Sequence, residues 1–180
     1  MYPVLETERL RLRPWWETDL DAFAAFCADE KSRKFLGGTL TRADAWRSMA
    51  VITGHWALRS YGIWVIEDKA TGQFAGYSGL WNPEGWPGPE ITWSVCTAFR
   101  RRGYAVEAAR RARAYAYDEL KWPTAVSIIH PRQCALPACR RPCRRRTGEA
   151  HRIQGLAGGP LPPSGLGEKT LINRRRMICQ

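Results

Sequence analysis

At 180 residues and 44% hydrophobic, the chain is long enough to bury one real core, and a single domain is the default expectation. Its net charge of +11 suggests a nucleic-acid binder only until it is located: residues 132–180 hold 11 Lys+Arg against 2 Asp+Glu, and the first 131 are nearly neutral. No apolar run approaches the roughly 18 residues of a membrane span, and Met1 to Arg13 is too charged for a secretory leader, so a cytoplasmic protein with reduced cysteines is expected.

In chain order, Glu8 to Arg13 alternates Leu10 and Leu12 with three arginines, the period of a strand with one buried face, and Pro14 ends it. Thr18 followed by Asp21 resembles a capping box before a first helix over about Asp19 to Ala28. Thr41 with Asp44 repeats the pattern, and Ala45, Met49, Ile52 and Trp56 then line one face of a second helix. Ile63 to Glu67 and Phe74 to Trp81 are β-rich runs joined by a turn over Asp68 to Gln73, which predicts an antiparallel hairpin. Asn82 to Pro89, with three prolines and two glycines, is a loop.

The most informative stretch is Glu90 to Leu120. It reads as a strand (Glu90 to Val95), a short basic turn (Phe99 to Ala105) and an Ala-rich helix reaching Leu120, with Ala105, Ala108, Ala109, Ala112 and Ala116 on one side. A turn opening a helix presents unpartnered N–H groups and the positive end of the helix dipole, and so suits an anion such as a pyrophosphate. Gly103 lets backbone approach a ligand closely. Trp122-Pro123 stops the helix, and Ala125 to Ile129 is a compact apolar run typical of a buried strand. Strand, helix, strand in that order implies a parallel pair.

This order, together with Arg100-Arg101-Arg102-Gly103-Tyr104-Ala105 and the continuation Val106-Glu107-Ala108, resembles the GNAT superfamily of N-acetyltransferases, whose members carry Arg/Gln-x-x-Gly-x-Gly/Ala at this turn. The opening Leu5-Glu6-Thr7-Glu8-Arg9-Leu10-Arg11-Leu12-Arg13-Pro14-Trp15 is similar to the branch of ribosomal-protein-alanine acetyltransferases. The resemblance covers about residues 4–131. It implies an α/β (α+β) fold: a mixed, mostly antiparallel twisted sheet flanked by helices, with the strands at 90–95 and 125–129 parallel.

The resemblance further implies transfer of an acetyl group from acetyl-CoA to a primary amine. The pyrophosphate would lie on the amides of Arg102 to Ala105, beside Arg100 and Arg101, and the pantetheine along the strand end near Val95. Many members have glycine where Arg101 stands, which would strain the turn only if that position needs a positive φ. Glu90, at the start of the central strand on the expected substrate side, is the candidate base, acting directly or through water; an exposed Glu before a strand is the plainer reading. Trp81, Trp86 and Trp93 are candidates to shape the acceptor pocket, with core packing as the alternative. The acceptor is a protein N-terminus or a small molecule.

No metal is expected: Cys134, Cys139 and Cys143, near His130 and His151, lack Cys-x-x-Cys spacing. Membrane and nucleic acid are not expected partners, because the arginine clusters at 144–146 and 174–176 have no interleaved aromatics. A basic nucleic-acid-binding protein and an inactive remnant of the fold stand as the alternative functions.

Residues 132–180 form a basic Arg/Pro/Gly-rich tail without a single aromatic residue, and they leave the family pattern right after His130-Pro131. They are expected to be irregular and to be translated one nucleotide out of register. Codons for His151 to Lys169 can be chosen so that dropping the first base restores tryptophan and tyrosine. The sheet would then lack its last two strands. An uninterrupted frame across codons 128–136, shared by close relatives, would contradict this.

Overall fold

The computed structural model describes residues 2–129 and 170–173. Along the chain come β1 (Leu5–Glu6), β2 (Leu10–Arg13), α1 (Leu20–Ala28), α2 (Glu30–Arg33), α3 (Arg42–Arg59), β3 (Ile63–Asp68), β4 (Phe74–Trp81), β5 (Glu90–Val95), α4 (Tyr104–Ala114), β6 (Val126–Ile129) and β7 (Thr170–Asn173). The sheet runs β1 to β7 in sequence order. Every neighbouring pair is antiparallel except β5 and β6, which are parallel across the α4 crossover.

The local reasons match the sequence patterns in most places. Thr41 caps α3 by accepting the Asp44 N–H at 3.2 Å, and the predicted apolar stripe Ala45, Met49, Ile52 and Trp56 is buried. The hairpin closes through Gly72, whose N–H donates to the Asp68 carbonyl at 2.8 Å. Ala108, Ala112 and Ala116 are fully buried, so α4 lies directly on the sheet. The helix ends earlier than expected, at Ala114, and continues as one π turn over Tyr115–Glu119.

Two layers cover the sheet. On one face α1 and α3 bring Phe23, Phe26, Met49 and Ile52 against Trp15, Val65 and Tyr77. On the other, α4 packs over Leu10, Leu12, Trp64, Ile66, Leu80 and Ile91. Burying such side chains stabilises the fold by roughly 1.5–3 kcal/mol each relative to exposure.

Two expectations are corrected here. The Thr18/Asp21 box does not form. Instead a 3-10 turn over Glu17–Asp19 precedes α1, and the buried Asp19 carboxylate takes the Trp16 N–H at 2.8 Å and a two-pronged bond from Arg13 at 2.7 and 2.8 Å. Arg13 also binds Glu67 at 2.6 Å, and the Asp21 carboxylate that the predicted box needs pairs instead with Arg42 at 2.5 Å. The short helix α2 carries no periodic signal. Finally, β6 does not lack an outer neighbour, because β7 pairs with it from Val126↔Asn173 to Ile129↔Thr170. The remaining tail expectations, including its cysteines, arginine clusters and reading frame, lie outside the described residues.

Candidate functional site

The turn between β5 and α4 is built from two left-handed residues. After a 3-10 turn at Thr97–Phe99, Arg101 takes φ +62° and Gly103 takes φ +80°. Gly103 is the N-cap of α4, and no side chain caps that end. The first N–H with an intrahelical partner is that of Glu107, donating to the Gly103 carbonyl at 3.0 Å, so the amides just after Gly103 lack intrahelical acceptors. Arg100, Arg101 and Arg102 are exposed around them. The end result is a cluster of backbone donors, a helix dipole and fixed positive charge at one place.

The turn is locked from the connection between β1 and β2. Glu107 accepts from the Thr7 hydroxyl at 2.6 Å, the Arg9 N–H at 3.0 Å and the Arg9 guanidinium at 2.5 and 2.8 Å. Arg9 also donates to the Arg102 carbonyl at 2.8 Å. Glu107 lies beside the donor cluster, yet its charge is neutralised. Burial pushes its carboxyl up, but the Thr7 and Arg9 bonds together outweigh burial and hold it below the usual range. Sequence reasoning missed this clamp. Arg9 reads as the solvent face of a strand, and its partner lies 98 residues away.

Beside the turn, β5 and β6 part company. Their only ladder pair is Glu90↔Val126. Two side chains stand in for the next rungs: Ser127 donates its hydroxyl to the Ile91 carbonyl at 2.9 Å, and the Ile128 N–H donates to the Glu90 carboxylate at 3.1 Å. Cys96 N–H donates to the Ala75 carbonyl at 2.9 Å, so by the alternation of an antiparallel ladder the polar groups of Val95 face away from β4, toward the opening. The Val95 carbonyl there accepts from Arg100 Nε at 3.4 Å, and Arg100 reaches on to the Lys31 carbonyl at 3.0 Å.

Glu90 is buried, 5% exposed, rather than the exposed residue of the plainer reading. Its second oxygen accepts from the Trp86 indole N–H at 2.9 Å, tying the Asn82–Pro89 loop to the start of β5. Trp81 pairs directly with Glu90 across β4 and β5. Trp81, Trp86 and Glu90 therefore share one end of the sheet. Trp93 does not join them: it packs with Ile91 and Val95 on the α4 face, whereas Trp81 packs on the α3 face. Strand alternation separates the two.

His55 supports this end from behind. Its ring stacks on Trp81 with centroids 4.5 Å apart. Nδ1 lies 2.9 Å from the Tyr61 carbonyl, and Nε2 accepts the Asn82 N–H at 3.2 Å, which fixes the neutral tautomer with its proton on Nδ1. Burial lowers the pKa below its ordinary 6.5, and the nearby Arg59 charge acts in the same sense. A lowered folded value means the unfolded chain protonates first. Stability is therefore complete above pH 6.5 and is lost as pH falls below it toward the folded value. Urea midpoints measured across that range are expected to fall for the wild type and to change less for His55→Gln.

Asp29 fastens α2 to the exit of β5 by accepting from the Ser32 and Thr97 hydroxyls, both at 2.6 Å. Those bonds bring its carboxyl down to about 2. Cys96 follows β5 directly, but burial pushes its thiol up to about 12, and that of Cys27 to about 11. Neither is a thiolate at neutral pH, so neither can serve as an acyl-carrying nucleophile there.

The condition attached to Arg101 is met: the position needs a positive φ, and a non-glycine residue there costs about 1–2 kcal/mol. Arg101→Gly is expected to raise stability by about 1 kcal/mol, after the extra freedom glycine has in the unfolded chain. Denaturant midpoints at unchanged slope would show it. An unchanged or lower midpoint would place the strain elsewhere.

Among the described residues no cluster of three metal-ligating side chains occurs, and no helix is long and apolar enough to cross a membrane. Residues 9–135 match the family described as "Acetyltransferase (GNAT) domain". The chain is similar to the crystal structure of an acetyltransferase from Agrobacterium tumefaciens str. C58, with 26% identity over 98% of this chain and 96% of that one, at a TM-score of 0.75. It also shares its fold with a GNAT-family acetyltransferase from Bacillus anthracis, at 21% identity over 72% of this chain and 75% of that one, with a TM-score of 0.63.

Proposed function

Because the chain belongs to the GNAT acetyltransferase family, we propose that it transfers an acetyl group from acetyl-CoA to a primary amine. One observation carries the reading: the uncapped start of α4 after Gly103 opens beside strands β5 and β6 that pair only at Glu90↔Val126. The first feature suits a pyrophosphate and the second suits an extended pantetheine arm.

Acetyl-CoA is a cosubstrate, supplying a thioester carbonyl for attack and a thiolate leaving group. The amides from Arg102 to Ala105 would hold its pyrophosphate, with Arg100 and Arg101 adding charge. The polar groups of Val95 face the opening, where an extended amide can pair with them once Arg100 releases the carbonyl. At the other end of β5, Glu90 would take one proton of the incoming ammonium, directly or through water, as the amine nitrogen bonds to the carbonyl carbon and the carbon–sulfur bond breaks, and the nitrogen's surplus proton would pass to the departing thiolate. Trp81 and Trp86 would wall the acceptor pocket beside it.

An α-amino group is the acceptor class this favours, as at a protein N-terminus. It titrates at about 8, against about 10.4 for lysine, and so asks less of a single carboxylate. A thiol-release assay over protein N-terminal peptides, amino sugars and polyamines tests it. The expectation is turnover with the peptides. Turnover confined to polyamines would contradict the acceptor class, and none with any amine would contradict the transfer.

A further inference from the structure

An open cavity of ≈ 490 Å³ lies between α2 and the segment after it, lined by Glu30, Lys31, Arg33, Lys34, Gly38 and Thr39. Its unusual member is Arg33. The residue is only 8% exposed. Its Nε donates to the Gly38 carbonyl at 2.7 Å, and among the described residues neither of its two terminal nitrogens finds an acceptor or an acidic partner. Four N–H donors of a largely buried residue thus have no protein acceptor among the described residues and open to the cavity.

The surroundings do not supply the missing negative charge. Glu30 lines the cavity but forms no ion pair with Arg33 among the described residues, and Lys31 and Lys34 add two further positive charges. Lys34 lies over the Phe35 ring, 5.5 Å from its centroid, rather than on a carboxylate. The positions of these residues are fixed. Asp29 binds the Lys31 and Ser32 amides at 3.1 Å each, and Arg100 holds the Lys31 carbonyl. A guanidinium fixed by one prong, with its other edge free in a basic cavity, is the arrangement that takes an oxyanion through two parallel bonds.

We infer that this cavity is an anion-binding site in which Arg33 grips a phosphate or carboxylate, assisted by Lys31 and Lys34. The chemistry could be brought by the 3′-phosphate of the cosubstrate, since the cavity abuts the Arg100 end of the turn, or by an independent anion such as an acidic group on the acceptor. The site stands whether or not the acetyl-transfer reading does.

The test is titration of the full chain with inorganic phosphate, followed by calorimetry and by thermal shift at constant ionic strength. Saturable one-to-one binding is expected, weakened at least about tenfold in Arg33→Gln, as befits the loss of a charge-assisted fork. Repeating the titration with CoA and with dephospho-CoA separates the sources. Competition by CoA alone assigns the site to the 3′-phosphate, and competition by neither assigns it to an independent anion. Should Arg33→Gln fail to fold, Arg33→Lys, which keeps the charge and one donor toward Gly38 but lacks the fork, decides by the same criterion. Absence of saturable binding, or equal affinity in wild type and a folded variant, would overturn the site.

Discussion

Gly103→Val is expected to weaken acetyl-CoA binding by about 10²-fold or more while leaving the rest of the fold in place. The reasons are local and cumulative. At φ +80° a β-branched residue is a genuine outlier, and the new Cβ would sit 3.2 Å from Arg9 Nη2. That guanidinium cannot easily yield, since it is held by Glu107 at 2.5 Å and by the Arg102 carbonyl at 2.8 Å. The turn must give way instead, which re-aims the amides that follow. Each charge-assisted bond lost costs about 1.5–3 kcal/mol, so two are enough for the stated factor. Calorimetric titration with acetyl-CoA reads the affinity, and circular dichroism verifies the fold. An affinity within about threefold of wild type would show that the phosphate site lies elsewhere.

Glu90→Gln is expected to lower kcat by about 10²-fold or more, the usual contribution of a positioned general base. The same carboxylate also has a structural duty, which the substitution only half preserves. Its two oxygens accept the Trp86 indole N–H and the Ile128 N–H, and an amide can satisfy only one of the two donors. A stability loss of about 1–3 kcal/mol should therefore accompany the kinetic defect. The two effects separate with acceptors of different basicity. If Glu90 removes the proton, the deficit shrinks for weakly basic amines that are already neutral at the assay pH. If it only positions the loop and β6, the deficit stays the same for all of them. An undiminished kcat would rule it out as the base.

The features that sequence could supply are those with a period or a local signature. Alternating Leu10 and Leu12, the stripe from Ala45 to Trp56 and the alanines of α4 all follow from one face of one element being buried, so spacing alone reveals them. The turn at Gly103 is visible for the same reason, as a local backbone requirement. What escapes depends on contacts between distant segments. The Arg9–Glu107 clamp and the bond from Ile128 N–H to Glu90 join residues 98 and 38 apart, and no local pattern encodes either. Asp21 illustrates competition: a reasonable cap signal at Thr18 fails because Arg42 claims the carboxylate that the box needs. Trp93 illustrates a missed inference, since the alternation that buries Ile91 and Val95 already sets it apart from the Trp81 side.

The electrostatics divide in the same way. That the amide turn is positive is legible from three consecutive arginines. The strain at Arg101 is legible only as a condition, because whether the position is left-handed is decided by the path from β5 to α4. Arg33 carries no signal at all, since its isolation is a matter of which carboxylates fail to reach it.

The most direct test of acetyl transfer at this turn is titration of the purified chain with acetyl-CoA, coupled to thiol release on addition of an N-terminal peptide. The predicted result is saturable binding on the order of micromolar to submillimolar, as enzymes commonly show for their substrates, lost in Gly103→Val, with thiol released in step with peptide acetylation. A folded wild-type chain that neither binds acetyl-CoA nor releases thiol would contradict it.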